Sequence, residues 1–229
     1  MPDTEPDPQR WRGSEPWFAP VALVLRALAW LLADVRVVRP DRLPRSGPVV
    51  VAANHVSRLD PPVVGVVVYR LRGRVRFLVV EELFRTPVLG WALRTTRMIP
   101  VRRGGGTERM VAEAVAALQA DQAMIVYPEG TIPAPGEVLA GRPGAGLLAL
   151  RAHRMGVPVV PMASWGLDHR GHGRMRLLRR RATVTFGPPV DLSAWAERDD
   201  REAQLQAGAA VLAAVRSLLP GPECGGRDR

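Results

Sequence analysis

Along the chain, short unbroken apolar runs alternate with longer stretches in which apolar residues recur every three or four positions. Residues 35–38, 48–53, 75–80, 98–101, 122–127, 157–163 and 182–186 are short and Val-rich, and Gly, Pro or polar residues flank most of them, as expected of buried strands. Between them the spacing predicts helices over 61–70, 81–93 with a break near Pro87, 107–120, 146–155 and about 200–219. Thr107 caps one of these helices, in which Met110, Val111, Ala114, Val115 and Leu118 share a face, and Gly156 stops the next. Strand–helix alternation of this kind predicts an α/β fold, with a largely parallel central sheet flanked by helices. The strand ends of such a sheet converge at one edge, where side chains face a crevice.

Residues 17–33 are strongly apolar but carry Arg26 at their centre. A membrane span needs ~20 apolar residues, and a central Arg costs ~2.5 kcal/mol or more, so this segment is expected not to cross a bilayer. It is a helix that either lies in the membrane interface, with Trp17 and Trp30 at the headgroups, or packs on the domain. The organisation expected is a leader over 1–16, an N-terminal membrane-associated helix and entry strand over 17–38, a domain over 39–219 and a flexible tail over 220–229. The first fifteen residues of the leader, polar and with three prolines, are not a secretory signal. Cys224 is the only cysteine, which leaves no disulfide framework or zinc cluster and suits a reducing, cytosolic side.

Charge narrows the chemistry. All 32 basic residues are Arg, and against 22 acidic ones they give a net charge of +10. Without lysine there is no P-loop phosphate ligand and no Schiff-base amine, which excludes kinase and pyridoxal-type mechanisms. The planar guanidinium suits anionic partners such as nucleic acid, anionic lipid or a CoA thioester. Nucleic acid is not expected, because no binding motif is present and aromatics make up only 5% of the chain.

The candidate chemistry follows three separate strands. Asn54, His55, Val56, Ser57, Arg58, Leu59 and Asp60 come after the second apolar run, and the carboxylate five residues beyond the imidazole can orient it as a base. The same residues also read as a turn, with Asp60 the N-cap of a helix opened by Pro61 and Pro62. Arg102 and Arg103 follow the run at 98–101, and Pro128, Glu129, Gly130 and Thr131 follow the run ending at Tyr127.

His-x4-Asp, an Ile-Pro-Val-x-Arg block, a Tyr-Pro-Glu-Gly-Thr block and a Val-Pro-Val-Val-Pro block, in that order, resemble the 1-acyl-glycerol-3-phosphate acyltransferase family over roughly residues 32–190. The resemblance implies transfer of a fatty acyl group from acyl-CoA or acyl carrier protein to a lyso-glycerophospholipid hydroxyl. It places the enzyme at the cytoplasmic face of the membrane, peripheral or monotopic, among membrane lipids. His55 would be the general base and Asp60 its orienting carboxylate. Arg103 would contact the acceptor phosphate, and Glu129, Gly130 and Thr131 would shape the acceptor pocket. Asn54 and Ser57 would have supporting roles. Neither a metal nor a cofactor is implied beyond the acyl co-substrate, and no covalent acyl-enzyme, since no Gly-x-Ser-x-Gly elbow occurs.

This chain departs from the pattern at Ile132, where the family commonly carries a phosphate-binding Arg, at Arg102 in place of Asp, and at Arg97 in place of Gly. Losing a charge-assisted partner costs ~1.5–3 kcal/mol of acceptor affinity unless another residue, such as Arg142, replaces it. The acceptor is therefore 1-acylglycerol-3-phosphate, another lyso-lipid or a glycolipid. A catalytically silent membrane-binding homologue is the alternative from a different class.

Overall fold

The computed structural model describes residues 16–57, 60–102, 104–134, 137, 139–167 and 180–220. Helix α1 (Phe18–Leu32) runs directly into β1 (Ala33–Val38), and a single 3-10 turn over Pro40–Arg42 follows. The chain continues through β2 (Val49–Ala53), α2 (Asp60–Arg72), β3 (Val75–Val80), a 3-10 turn over Glu81–Arg85 and α3 (Pro87–Thr95). Then come β4 (Ile99–Val101), α4 (Thr107–Gln119), β5 (Ala123–Val126), α5 (Pro143–Arg154), β6 (Val159–Trp165), β7 (Arg180–Phe186) and α6 (Arg201–Arg216).

The seven strands form one sheet in the order β1-β7-β6-β2-β5-β3-β4, and every pairing is parallel except β6 with β7. Because β7 runs against β6 and β1 runs with β7, these two strands begin at the edge where the other five end. The α/β reading with a largely parallel sheet is therefore correct. The reversed pair is the detail that hydrophobic patterning did not carry.

Period-two alternation sorts the core into two layers. Along β2, Val50 and Ala52 face α4, α5 and α6, whereas Val49, Val51 and Ala53 face α2 through Val64, Val67 and Val68. All five β2 residues are fully buried, as a central strand covered on both faces requires.

Helix α5 starts at Pro143, three residues before the predicted 146. Proline is pre-shaped for the first helical position, and the glycines around it allow close packing on α6. A Cβ on Gly146 would collide with the Gln204 carbonyl of α6, and one on Gly141 with that of Gly208. The break expected near Pro87 is also present, as the change from the 3-10 turn to α3.

Helix α1 packs on α2 through a narrow stripe. Ala29 meets Val63 in a small cluster with Leu167 and Ala182, and the Phe18 ring lies 5.7 Å from that of Tyr69. Much of α1 is exposed, including Leu23, Val24, Trp30 and Leu31. No helix among the described residues is long and apolar enough to cross a membrane.

Candidate active site

The neighbouring strands β6, β2 and β5 end side by side, and their last residues build the site. Asn54 closes β2, and its side-chain amide locks that strand to β6. Its Nδ2 donates to the Ser164 carbonyl at 2.8 Å, and its Oδ1 accepts from the Ser164 N–H at 2.7 Å. Both contacts are buried, so the turn that follows leaves from a fixed point.

Within that turn, Asp60 is fully buried and its hydrogen bonds run backward. One oxygen, Oδ2, accepts from the backbone N–H of Val56, from that of Ser57 at 2.7 Å, and pairs with His55 Nδ1 at 3.1 Å. The other oxygen accepts from the Ser57 hydroxyl at 3.3 Å. Asp60 therefore does stand at the head of α2, but its carboxylate ties the turn and the imidazole together. With Nδ1–H directed at Asp60, Nε2 is the ring nitrogen left to accept a proton, and the His55 side chain remains 17% exposed.

Two residues of the β5 end hold His55 from the other side. The Tyr127 ring stacks on the imidazole, with centroids 4.3 Å apart and planes 21° apart. Burial pushes the Tyr127 phenol up from its ordinary value, with the neighbouring Asp60 adding to the effect, so it remains a hydroxyl. That hydroxyl is buried without a partner among the described residues. Glu129 is 5% exposed, and its Oε2 accepts the His55 backbone N–H at 3.1 Å. Burial raises its pKa, against the opposing pull of that hydrogen bond and of Arg216.

Gly130 has φ +68°, a conformation that suits glycine, and its bare Cα lets the Arg142 side chain lie across it. Thr131 is exposed beyond this turn. Arg142 Nε donates to the Glu129 carbonyl at 3.3 Å.

The fold thus brings together Asn54, His55, Ser57, Asp60, Glu129, Gly130 and Arg142. It does not bring Arg102 to them. Strand β4 lies three positions from β2, roughly 14 Å at ordinary strand spacing, and Arg102 is paired with Glu81 at 3.0 Å. Arg103 lies outside the described residues. Tyr127 and the Ser164 backbone were not singled out from the sequence. The signal for Tyr127 was its place at a strand end beside Glu129, but an aromatic there reads equally as core.

The sequence profile of the family described as Acyltransferase matches residues 34–165, more than half of the chain and the whole stretch that builds this site. The chain belongs to the acyltransferase family. A lyso-ornithine lipid O-acyltransferase of Pseudomonas aeruginosa is 32% identical to this acyltransferase over 164 residues, which cover 71% of this chain and 57% of the relative. The chain thus matches less than two thirds of that relative's length. Among solved structures, the 1-acyl-sn-glycerophosphate acyltransferase PlsC of Thermotoga maritima superposes with a TM-score of 0.62 at 25% identity, covering 89% of this acyltransferase and 80% of PlsC.

Proposed function

We propose that this acyltransferase moves a fatty acyl group from a thioester, acyl-CoA or acyl carrier protein, to the hydroxyl of a lyso-lipid, with His55 as the general base. The observation that carries this reading is the pairing of a partly exposed imidazole with a fully buried carboxylate through Nδ1. Nε2 takes the acceptor's hydroxyl proton as the oxygen attacks the thioester carbonyl. The new ester C–O bond forms, and the tetrahedral intermediate expels the thiolate. The proton on Nε2 then passes to the sulfur, so base and charge are restored. Asp60 holds the ring plane and stabilises the imidazolium formed in transit. Asn54 fixes the turn to β6, and Ser57 and the Val56 N–H hold Asp60.

We further propose that the enzyme works as a peripheral protein at the cytoplasmic face of a bilayer. Support comes from an apolar face made by two elements. On α1, Leu23 and Val24 are 65% and 67% exposed, and on α3 Val88 is 80% exposed. Trp17 and Trp91 join the two helices edge to face at 5.5 Å. Helix α1 ends, and the segment leading to α3 begins, at the sheet edge that carries His55. The exposed Arg26 adds attraction to anionic headgroups.

The test is His55→Ala assayed with long-chain acyl-CoA against a panel of lyso-lipids, products identified by mass. General acid–base catalysis contributes ~10²–10⁴-fold, so the variant should lose about that much turnover while retaining its unfolding midpoint and vesicle binding. A folded His55→Ala protein with wild-type turnover would overturn the assignment.

A further inference from the structure

The arginines around the catalytic edge are not equivalent. Arg102 is paired with Glu81, and Arg216 donates through Nη2 to the Leu139 carbonyl at 2.6 Å. Arg142 differs from both. Its Nε is held by the Glu129 carbonyl, but its two terminal nitrogens have neither a hydrogen bond nor an acidic partner among the described residues, and the side chain is exposed.

The backbone and stem that carry this guanidinium are nevertheless held on both sides. Its backbone N–H donates to the Pro128 carbonyl at 2.8 Å, and its stem lies so close to Gly130 that a Cβ there would sit 3.0 Å from Arg142 Cγ. On the other side, Gly141 abuts the Gly208 backbone of α6, and a Cβ on Gly208 would come within 3.1 Å of the Arg142 carbonyl. A cation carried in this way has less freedom left to lose on binding, and its planar fork matches two oxygens of one anion.

Its position relates it to the reacting hydroxyl. Glu129 touches both groups: its carbonyl accepts from Arg142 Nε, and its carboxylate accepts the His55 backbone N–H. One residue therefore bridges Arg142 and His55. In a lyso-lipid the headgroup anion lies a few bonds from the acceptor hydroxyl. In acyl-CoA the phosphates are separated from the sulfur by the whole pantetheine arm, too far for a group so near the base.

We propose that Arg142 is the headgroup ligand of the acceptor, binding a carboxylate or a phosphate monoester through its two terminal nitrogens and so setting acceptor specificity. This rests on the acyl-transfer reading of the His55 site.

The experiment compares wild type, Arg142→Ala and Arg142→Lys with one acyl-CoA and three acceptors: 1-acylglycerol-3-phosphate for phosphate, lyso-ornithine lipid for carboxylate, and a neutral monoacylglycerol. In Arg142→Ala, KM for the anionic acceptor in use should rise about 10- to 100-fold, as expected from losing a charge-assisted contact. Its kcat, the KM for acyl-CoA, any neutral-acceptor rate and the unfolding midpoint should stay near wild type, and Arg142→Lys should recover part of the loss. Which anionic acceptor responds identifies the anion. An unchanged acceptor KM, an equal loss with monoacylglycerol, or a loss confined to acyl-CoA would overturn the proposal.

Should the wild type transfer no acyl group, the catalytic reading alone has failed, and binding of the same three lipids in neutral detergent micelles decides the rest. Weaker binding of the anionic lipids by Arg142→Ala, with monoacylglycerol unaffected, supports the assignment. Equal binding by the two proteins refutes it.

Discussion

Replacing Asp60 separates the fold from the chemistry, because its carboxylate serves both. Oδ2 accepts from two backbone N–H groups and pairs with His55 Nδ1, and the Asp60 side chain itself has no solvent exposure. Asp60→Asn keeps the shape and one oxygen for those three donors, and the Ser57 hydroxyl can rotate to accept from the new amide. What it loses is charge, and charge-assisted bonds are about twice as strong as neutral ones, so roughly 1 kcal/mol per donor, about 2–3 kcal/mol in all, should go. Asp60→Ala leaves the donors orphaned. At ~1–3 kcal/mol for each buried unsatisfied group, less what water can recover in the vacated space, it should cost about 3–6 kcal/mol. Catalysis should fall steeply in both, by up to ~10⁴-fold, because the imidazolium loses its partner and the ring its preferred tautomer. Urea unfolding gives the first quantity, and single-turnover acyl transfer the second. The reasoning fails if Asp60→Asn retains wild-type kcat/KM, or if the alanine variant is as stable as the asparagine one.

The remaining predictions concern separate parts of the molecule. Tyr127→Phe removes a hydroxyl that has no partner among the described residues, so stability should hold or improve by up to ~1 kcal/mol and turnover should be unchanged, whereas Tyr127→Leu loses the stack on His55 and should lower kcat about tenfold. A drop in the phenylalanine variant would show that the hydroxyl takes part. Glutamate at both Leu23 and Val88 should weaken binding to phosphatidylglycerol-containing vesicles at least ~10-fold while sparing activity on detergent-dispersed lyso-lipid, and undiminished sedimentation with vesicles would count against the apolar face. Asp200, which caps α6 by accepting from the Ala203 N–H, is held down to about 2 by its hydrogen bond with Arg198 and by that cap. A carboxylate depressed in the fold stabilises fully above its ordinary pKa and loses that contribution as pH falls through the folded value. The unfolding midpoint should therefore drop between about pH 4 and pH 2, and Asp200→Asn should flatten that part of the profile.

Elements were legible in this chain because the relevant physics is local. Strands such as 49–53 and 123–126 are short apolar runs, and α4 repeats its apolar residues at helical spacing, so type and approximate extent follow from neighbours in sequence. Helix α5 begins three residues before the predicted start, running through Gly144, whose helix propensity is low. What holds the helix there is the close approach of α6, some sixty residues further along the chain.

The site divides in the same way. That His55 and Asp60 meet was readable, since a turn of five residues after a strand brings them into range, and the block order pointed to the family. That Tyr127 stacks on the imidazole while Glu129 holds the His55 backbone, and that Arg142 lies against Gly130, depended on β5 being laid beside β2 and on α6 pressing the 141–142 backbone into place. Arg102 shows the converse. It follows a strand end as the other blocks do, yet strand order sets it three positions away and Glu81 holds it there. Sequence alone determined the layers and the pairing of His55 with Asp60, because those depend on contacts a few residues apart. Strand order, the reversal of β1 and β7 and the seating of Arg142 against Gly130 were decided only in the tertiary structure, because they depend on contacts between segments that local pattern leaves free to combine.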